Sequence, residues 1–268
     1  MKPIEELTFT DDYMFGYVMQ NKKVCKGLLE RLLNIKIEKL EYPKLQKTIS
    51  PHFKSKGVRL DVYVEDSNRV FDIEIQNILD DELPTRTRYY QSMMDIDLLS
   101  KGKEYSQLKE NFIIFVCKDD FFGEDFPCYT FSNRCHEKLT LDLGDKCRKI
   151  FFNASAYSKE KNIEIKSILE YIINKKSSTD FTKMIDQIVE RAKENKTFRG
   201  DYMIWGLAEY DAEKRGYKAG VAAGIEQNAI ETAKNLIIKN VPLETIAECT
   251  GLSLETVENL AESLTVKN

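Results

Sequence analysis

Val58-Arg59-Leu60-Asp61-Val62-Tyr63-Val64 and Val70-Phe71-Asp72-Ile73-Glu74-Ile75-Gln76 both alternate apolar and polar residues, with only Glu65-Asp66-Ser67-Asn68-Arg69 between them. Alternation with period 2 is the pattern of a strand, and the polar spacer has turn chemistry, so the two runs predict a β-hairpin. A two-residue loop at Ser67-Asn68 pairs positions whose numbers sum to 135. Asp61 then faces Glu74 with side chains roughly 5 Å apart, while Leu60, Val62, Val64, Phe71, Ile73 and Ile75 line the other face. Like charges placed directly opposite destabilise a hairpin. A divalent cation between them reverses the sign of that interaction, so the pair predicts a metal site. The competing reading is a solvent-facing hairpin whose polar side happens to carry Asp, Glu and Gln.

Gln76 favours the metal reading, because it stands on the same face as Glu74, one pleat further along. Asp61 and Glu74 offer hard oxygen ligands suited to Mg²⁺ or Mn²⁺, and Gln76 can orient a water or phosphate oxygen beside the ion. Such a site suits phosphodiester hydrolysis.

Several segments bear on kinship: Asp12-Tyr13-Met14-Phe15, Val58 to Val62, Asp72-Ile73-Glu74-Ile75-Gln76, Arg88-Tyr89-Tyr90-Gln91 and Asn111-Phe112-Ile113-Ile114-Phe115-Val116. From about Leu7 to the C-terminus, the chain resembles the recombination-promoting nucleases and transposases of the PD-(D/E)XK superfamily. The resemblance implies a restriction-endonuclease-like α/β core, a mixed sheet flanked by helices, followed by a C-terminal helical extension. It also implies that Asp61 and Glu74 bind metal, that Gln76 stands where the superfamily most often has Lys, and that Asp12 brings an acidic group from the first helix. Gln can only orient by hydrogen bonds where Lys would supply charge, which leaves neutralisation to the metal.

Along the chain, the spacing of Phe15, Val18, Met19, Leu28, Leu29, Leu32 and Leu33 predicts a helix over Asp11 to Leu33. Asp12 at its start is also placed to act in capping, as Thr10 and Asp11 are. Extended segments follow within Ile37 to Ile49, then the hairpin, then a helix over Thr85 to Ser100 through Tyr89, Met93, Ile96 and Leu99. Asn111 to Cys117 suits a buried central strand. Tyr129 to Phe131 and Lys149 to Phe152 read as strands that extend the sheet or form a separate hairpin, and Ser158 to Asn195 as two amphipathic helices.

Gly216, Gly220 and Gly224 recur every fourth residue, and each costs about 1 kcal/mol in a helix interior, so a conditionally packed helix is expected there. Ala247, Gly251, Ser253 and Val257 fall at helix-turn-helix spacing. The would-be recognition helix carries Glu255, Glu258 and Glu262 without Arg or Lys, which repels phosphates. The segment therefore reads as a helical packing or oligomerisation element, with a homo-oligomer through the C-terminal helices left open.

The 268 residues, with 42% hydrophobic and 31% charged, are enough for one large domain and an appendage. The expected division is 1–155 for the nuclease-like core, 156–213 for a helical cover and 214–268 for the C-terminal element. Six cysteines, no apolar signal segment after Met1-Lys2-Pro3 and no run of membrane-spanning length predict a reduced, cytoplasmic protein with no membrane contact. Cys128, Cys135, His136 and Cys147 lack the paired short spacing of structural zinc modules. A net charge of -4 requires any DNA contact to be made by a local basic patch. Lys54, Lys56, Arg86, Arg88, Lys101 and Lys103 are its candidates. These readings converge on a metal-dependent DNA endonuclease, with a non-catalytic, DNA-associated interaction protein that keeps the fold as the alternative.

Overall fold

The computed structural model describes residues 1–41, 43–50 and 57–265. It divides into two compact units, Met1–Arg199 and Gly200–Asn268. In the first unit, α1 (Asp12–Met19) and α2 (Lys22–Leu33) precede β1 (Lys44–Ile49), β2 (Val58–Glu65) and β3 (Arg69–Gln76). Next come α3 (Leu83–Leu98), β4 (Glu110–Cys117), β5 (Cys128–Phe131), β6 (Cys147–Asn153), α4 (Ile163–Asn174) and α5 (Asp180–Glu194). The second unit contains most of α6 (Lys196–Ile238), which begins in the first, followed by α7 (Leu243–Thr250) and α8 (Leu254–Thr265).

The sheet has six strands in the order β1-β2-β3-β4-β6-β5. β1, β2 and β3 form an antiparallel meander, β3, β4 and β6 run parallel, and β5 returns antiparallel on β6. Helix, three strands, helix, strand is the order expected of the core, and both later strand candidates join the same sheet. From Asn111 to Cys117 every residue of β4 is buried, which is why a strand with parallel neighbours on both sides reads as a continuous apolar run.

The hairpin closes at the predicted loop. Asp66 N–H donates to the Arg69 carbonyl at 2.9 Å, while its carboxylate accepts from the backbone amides of Asn68 and Arg69. The ladder then pairs Glu65 with Val70, Val64 with Phe71, Tyr63 with Asp72 and Val62 with Ile73. This is the register in which residue numbers sum to 135.

Two local expectations are corrected. The helix expected over Asp11 to Leu33 is broken after Met19, because the Asn21 side chain accepts from the amides of Lys23 and Val24 and caps a second helix. Leu60 does not share a face with Val62 and Val64. It packs with Val58, Tyr63, Val70, Phe115 and Phe151 in the cluster that α3 covers through Met93 and Met94. The cause is an interruption in the β1–β2 ladder, where Gln46 has φ 47° and no pairing with Asp61 is made. Strand parity is thereby offset, and Leu60 reaches the same side as Tyr63.

In the second unit, Ala233, Ile246 and Val257 form a small buried cluster. Gly251 turns the chain at φ 73° after α7, and the Ser253 hydroxyl accepts from the Thr256 amide at the start of α8. The glycine-bearing segment lies within the continuous α6, and nothing approaches the positions a Cβ would take at Gly216, Gly220 or Gly224. No helix among the described residues is long and apolar enough to cross a membrane.

Candidate active site

At the end of the hairpin ladder the two strands stop bonding backbone to backbone and bond through carboxylates instead. Asp61 N–H donates to Glu74 Oε1 at 2.9 Å, and the Asp61 carboxylate accepts from the Ile75 amide. Each acidic side chain thus satisfies a backbone donor on the opposite strand, which anchors both at the mouth of a cleft. An unpaired buried amide would cost about 1–3 kcal/mol, so the two cross-strand bonds explain why this departure from regular pairing is tolerated.

The cleft, of about 880 Å³, is lined on the sheet side by Asp61, Glu74, Ile75 and Gln76, and on the helix side by Arg86, Tyr89 and Tyr90 of α3. Asp12, the first residue of α1, enters the same cleft. The neighbouring Asp11 is occupied otherwise: its carboxylate accepts from the Thr8 amide and hydroxyl and pairs with Lys2 at 2.8 Å. All four sequence-derived site residues, Asp12, Asp61, Glu74 and Gln76, therefore line one cleft.

The electrostatics are those of acidic groups crowded together and withdrawn from water. Burial, then the adjacent Asp61, push the Glu74 carboxyl up to about 8, against the Asp61 amide and Arg86, which favour its ionised form. Burial and the charge of Asp12 push Asp61 up to about 6, with Arg59 and the Ile75 amide opposing. Asp72, two residues before Glu74 on the same strand face, is wholly buried, and its carboxyl interacts with that of Glu74. Burial first, then the Glu74 and Asp61 charges, hold Asp72 well above the ordinary carboxylate range. Its position on the carboxylate face follows from the strand period, which is the signal by which a reading centred on Asp61 and Glu74 could have found it.

Arg86 pairs with this group from α3. Its Nη2 lies 3.5 Å from Glu74 Oε2 and 3.0 Å from the Tyr90 hydroxyl, its Nη1 3.3 Å from Asp80 Oδ2. Arg59 and Arg88 also line the cleft but are exposed. Lys101, Lys103 and Gln91 are not among the lining residues, and Lys54 and Lys56 lie outside the described residues.

The donor set fits a hard divalent cation. Among the described residues no three His, Cys, Asp or Glu side chains form a ready-made cage. Mg²⁺ does not need one, since it retains several waters and is ordinarily held by one or two carboxylates together with substrate phosphate. A buried carboxylate at Glu74 and a half-buried one at Asp61, both raised first by desolvation and then by a neighbouring acid (Asp61 for Glu74, Asp12 for Asp61), are what such an ion would relieve. Cys128, Cys135 and Cys147 are free thiols.

Residues 9–170, more than half of the chain, match the family described as PD-(D/E)XK nuclease family transposase. No curated protein and no solved structure matches the chain.

Proposed function

Because the chain belongs to the PD-(D/E)XK nuclease family transposases, we propose that it is a Mg²⁺-dependent (or Mn²⁺-dependent) DNA endonuclease that hydrolyses phosphodiester bonds at the Asp61–Glu74 cleft. The observation that carries this reading is the reciprocal anchoring of Asp61 and Glu74, which fixes two carboxylates side by side despite their repulsion. Asp61 and Glu74 hold the metal, which when bound supplies Lewis-acid activation of water and neutralises phosphate charge. Gln76 orients the attacking water or a phosphate oxygen by hydrogen bonding. Asp12 adds negative charge beside Asp61 and strengthens the site for a cation. Asp72, raised well above the ordinary carboxylate range by burial, adjoins Glu74 on the same strand.

The division into a core over 1–155, a cover over 156–213 and a C-terminal element over 214–268 is part of the same proposal, as is a cytoplasmic setting. In it the C-terminal element serves packing or association between copies, since Glu255, Glu258 and Glu262 on α8 are exposed and would repel DNA. The test is nicking and linearisation of a supercoiled plasmid with Mg²⁺, Mn²⁺ or EDTA. Cleavage that needs the metal and disappears in Asp61→Ala supports the proposal. The non-catalytic alternative is favoured by one observation, that Gln76 brings no charge and Arg86 already pairs with Glu74. DNA binding without metal-dependent cleavage would establish it.

A further inference from the structure

The strand position two residues after Glu74 carries Gln76, so that position offers the scissile phosphate no positive charge, and the arginines that line the cleft are Arg59 of β2 with Arg86 and Arg88 of α3. Two carboxylates and one divalent cation sum to zero. An incoming phosphodiester brings one negative charge, its pentacoordinate transition state a second, and Asp12 adds a further carboxylate to the cleft, so a fixed cation beside the phosphate would offset charge that one metal ion does not. Arg86 of α3 is the side chain placed to supply it.

Three contacts hold its guanidinium at the mouth of the cleft independently of substrate. Tyr90, one helical turn on, takes Nη2 at 3.0 Å, Asp80 takes Nη1 at 3.3 Å, and the Phe115 ring centroid of β4 lies 5.6 Å from the guanidinium carbon. The contact to Glu74 is the longest of its polar contacts, at 3.5 Å. A guanidinium has five N–H donors in a planar fork, so it can remain fixed by Tyr90 and Asp80 while presenting others to an anion. Arg59 and Arg88 carry the same charge on exposed side chains, whereas Arg86 is half-buried.

Resting on the proposed nuclease reading, we propose that Arg86 is a catalytic residue: its guanidinium bonds a non-bridging oxygen of the scissile phosphate and replaces, from the helix, the charge that Gln76 does not provide on the strand. Without metal it occupies Glu74 as a surrogate cation, and with Glu74 turned to the metal it is released toward the phosphate. The water oxygen, losing a proton to bulk solvent, forms its bond to phosphorus as the bond to the leaving deoxyribose oxygen breaks, and that oxygen takes a proton from solvent. Arg86 stabilises the charge and transfers no proton.

The test uses full-length wild type, Arg86→Ala, Arg86→Lys and the double variant Arg86→Ala with Gln76→Lys. Each is assayed for single-turnover plasmid cleavage at saturating Mg²⁺ and for metal affinity by calorimetry. Arg86→Ala should lower the cleavage rate on the order of 10²-fold without weakening metal binding. Arg86→Lys should retain more of the rate, and Gln76→Lys or added guanidinium should return part of the rate to the Ala variant. Rescue of this kind is not expected of a merely structural residue. Undiminished cleavage by Arg86→Ala, a loss of metal binding in step with the loss of rate, or failure of both rescues in protein with wild-type melting overturns the inference and leaves the nuclease reading standing. If Arg86→Ala does not fold, a full wild-type rate in Arg86→Gln overturns it and a rate as low as that expected of the Ala variant supports it. A wild type that cleaves with neither Mg²⁺ nor Mn²⁺ overturns the nuclease reading, and this inference with it.

Discussion

Raising the pH should tighten divalent-metal binding steeply, because the two proposed ligands are held largely or partly protonated around neutrality. A cation needs both carboxylates ionised, and Glu74 is pushed up to about 8 while Asp61 is pushed up to about 6. From about pH 6.5 to about pH 8.5 both carboxyls become more fully ionised, Glu74 with the larger change, so the apparent affinity should rise on the order of tenfold or more. Near neutral pH, binding should release about one proton, drawn mainly from Glu74. Stability follows with the opposite sign in metal-free protein. Glu74 in the fold lies above its ordinary value of 4.5, so its contribution is fully present below about pH 4.5 and is lost as pH rises through about 8. Added Mg²⁺ should therefore raise the melting temperature more in alkaline than in acidic buffer. Calorimetric titration with Mn²⁺ or Mg²⁺ in buffers of different ionisation enthalpy reads both affinity and proton release. An affinity unchanged across this range, or a heat independent of the buffer, would refute the assignment of Glu74 and Asp61 as ligands. Glu74→Gln should bind weakly and with most of the pH dependence gone.

Asp61→Ala and Glu74→Ala should each nearly abolish cleavage at excess Mg²⁺, whereas Gln76→Ala, losing an orienting hydrogen bond of about 1 kcal/mol, should slow it by roughly fivefold in a single-turnover assay. Asp72→Val removes a wholly buried carboxyl whose charged form is penalised by burial and by the Glu74 charge, so chemical denaturation should show a gain of about 1–3 kcal/mol, and a loss of stability would mean that the Asp72–Glu74 interaction outweighs the cost of burying the acid. Gly216→Ala, Gly220→Ala and Gly224→Ala meet open space, and each should raise helix stability by about 0.5–1 kcal/mol, detectable by circular dichroism on heating, unless another surface covers that face. A chain ending at Glu213 retains every proposed ligand and should still nick plasmid with Mg²⁺. Complete loss in a folded truncation would show that the C-terminal helices complete the active unit.

The hairpin and its register were legible because two independent signals agreed, the strand period and the turn chemistry of Asp66 to Arg69, and the loop length then left one pairing. The core order was legible for the same reason, as each element has its own period. What escaped depends on conformations or contacts that a local pattern does not encode. Gln has no marked preference for positive φ, so nothing announced that Gln46 would offset the ladder and carry Leu60 to the face of Tyr63. The break at Asn21 lay inside an apolar pattern that continues across it, and only the side-chain cap separates the helices. Arg86 was recognisable as a charge near the site, but its pairing with Glu74 joins α3 to β3 and depends on the rotation of the helix over the sheet.

The places where local rules fail coincide. Like charges face each other across two strands, the ladder gives way to carboxylate bonds at Asp61 and Glu74, an acid is wholly buried at Asp72, and a cation from another element leans on Glu74. Each alone costs stability, and a sequence under selection for stability alone would have little reason to keep them together. A hydrophobic residue at position 72 or an uncharged one at position 61 would leave the sheet intact, since the surrounding strands are already buried and paired. The energetic cost is therefore confined to one cleft, at the end of the hairpin where a substrate can reach it. That confinement is the physical argument for function: the fold supplies its stability from β3, β4 and β6 and concentrates unresolved charge where a divalent cation and a phosphodiester would resolve it.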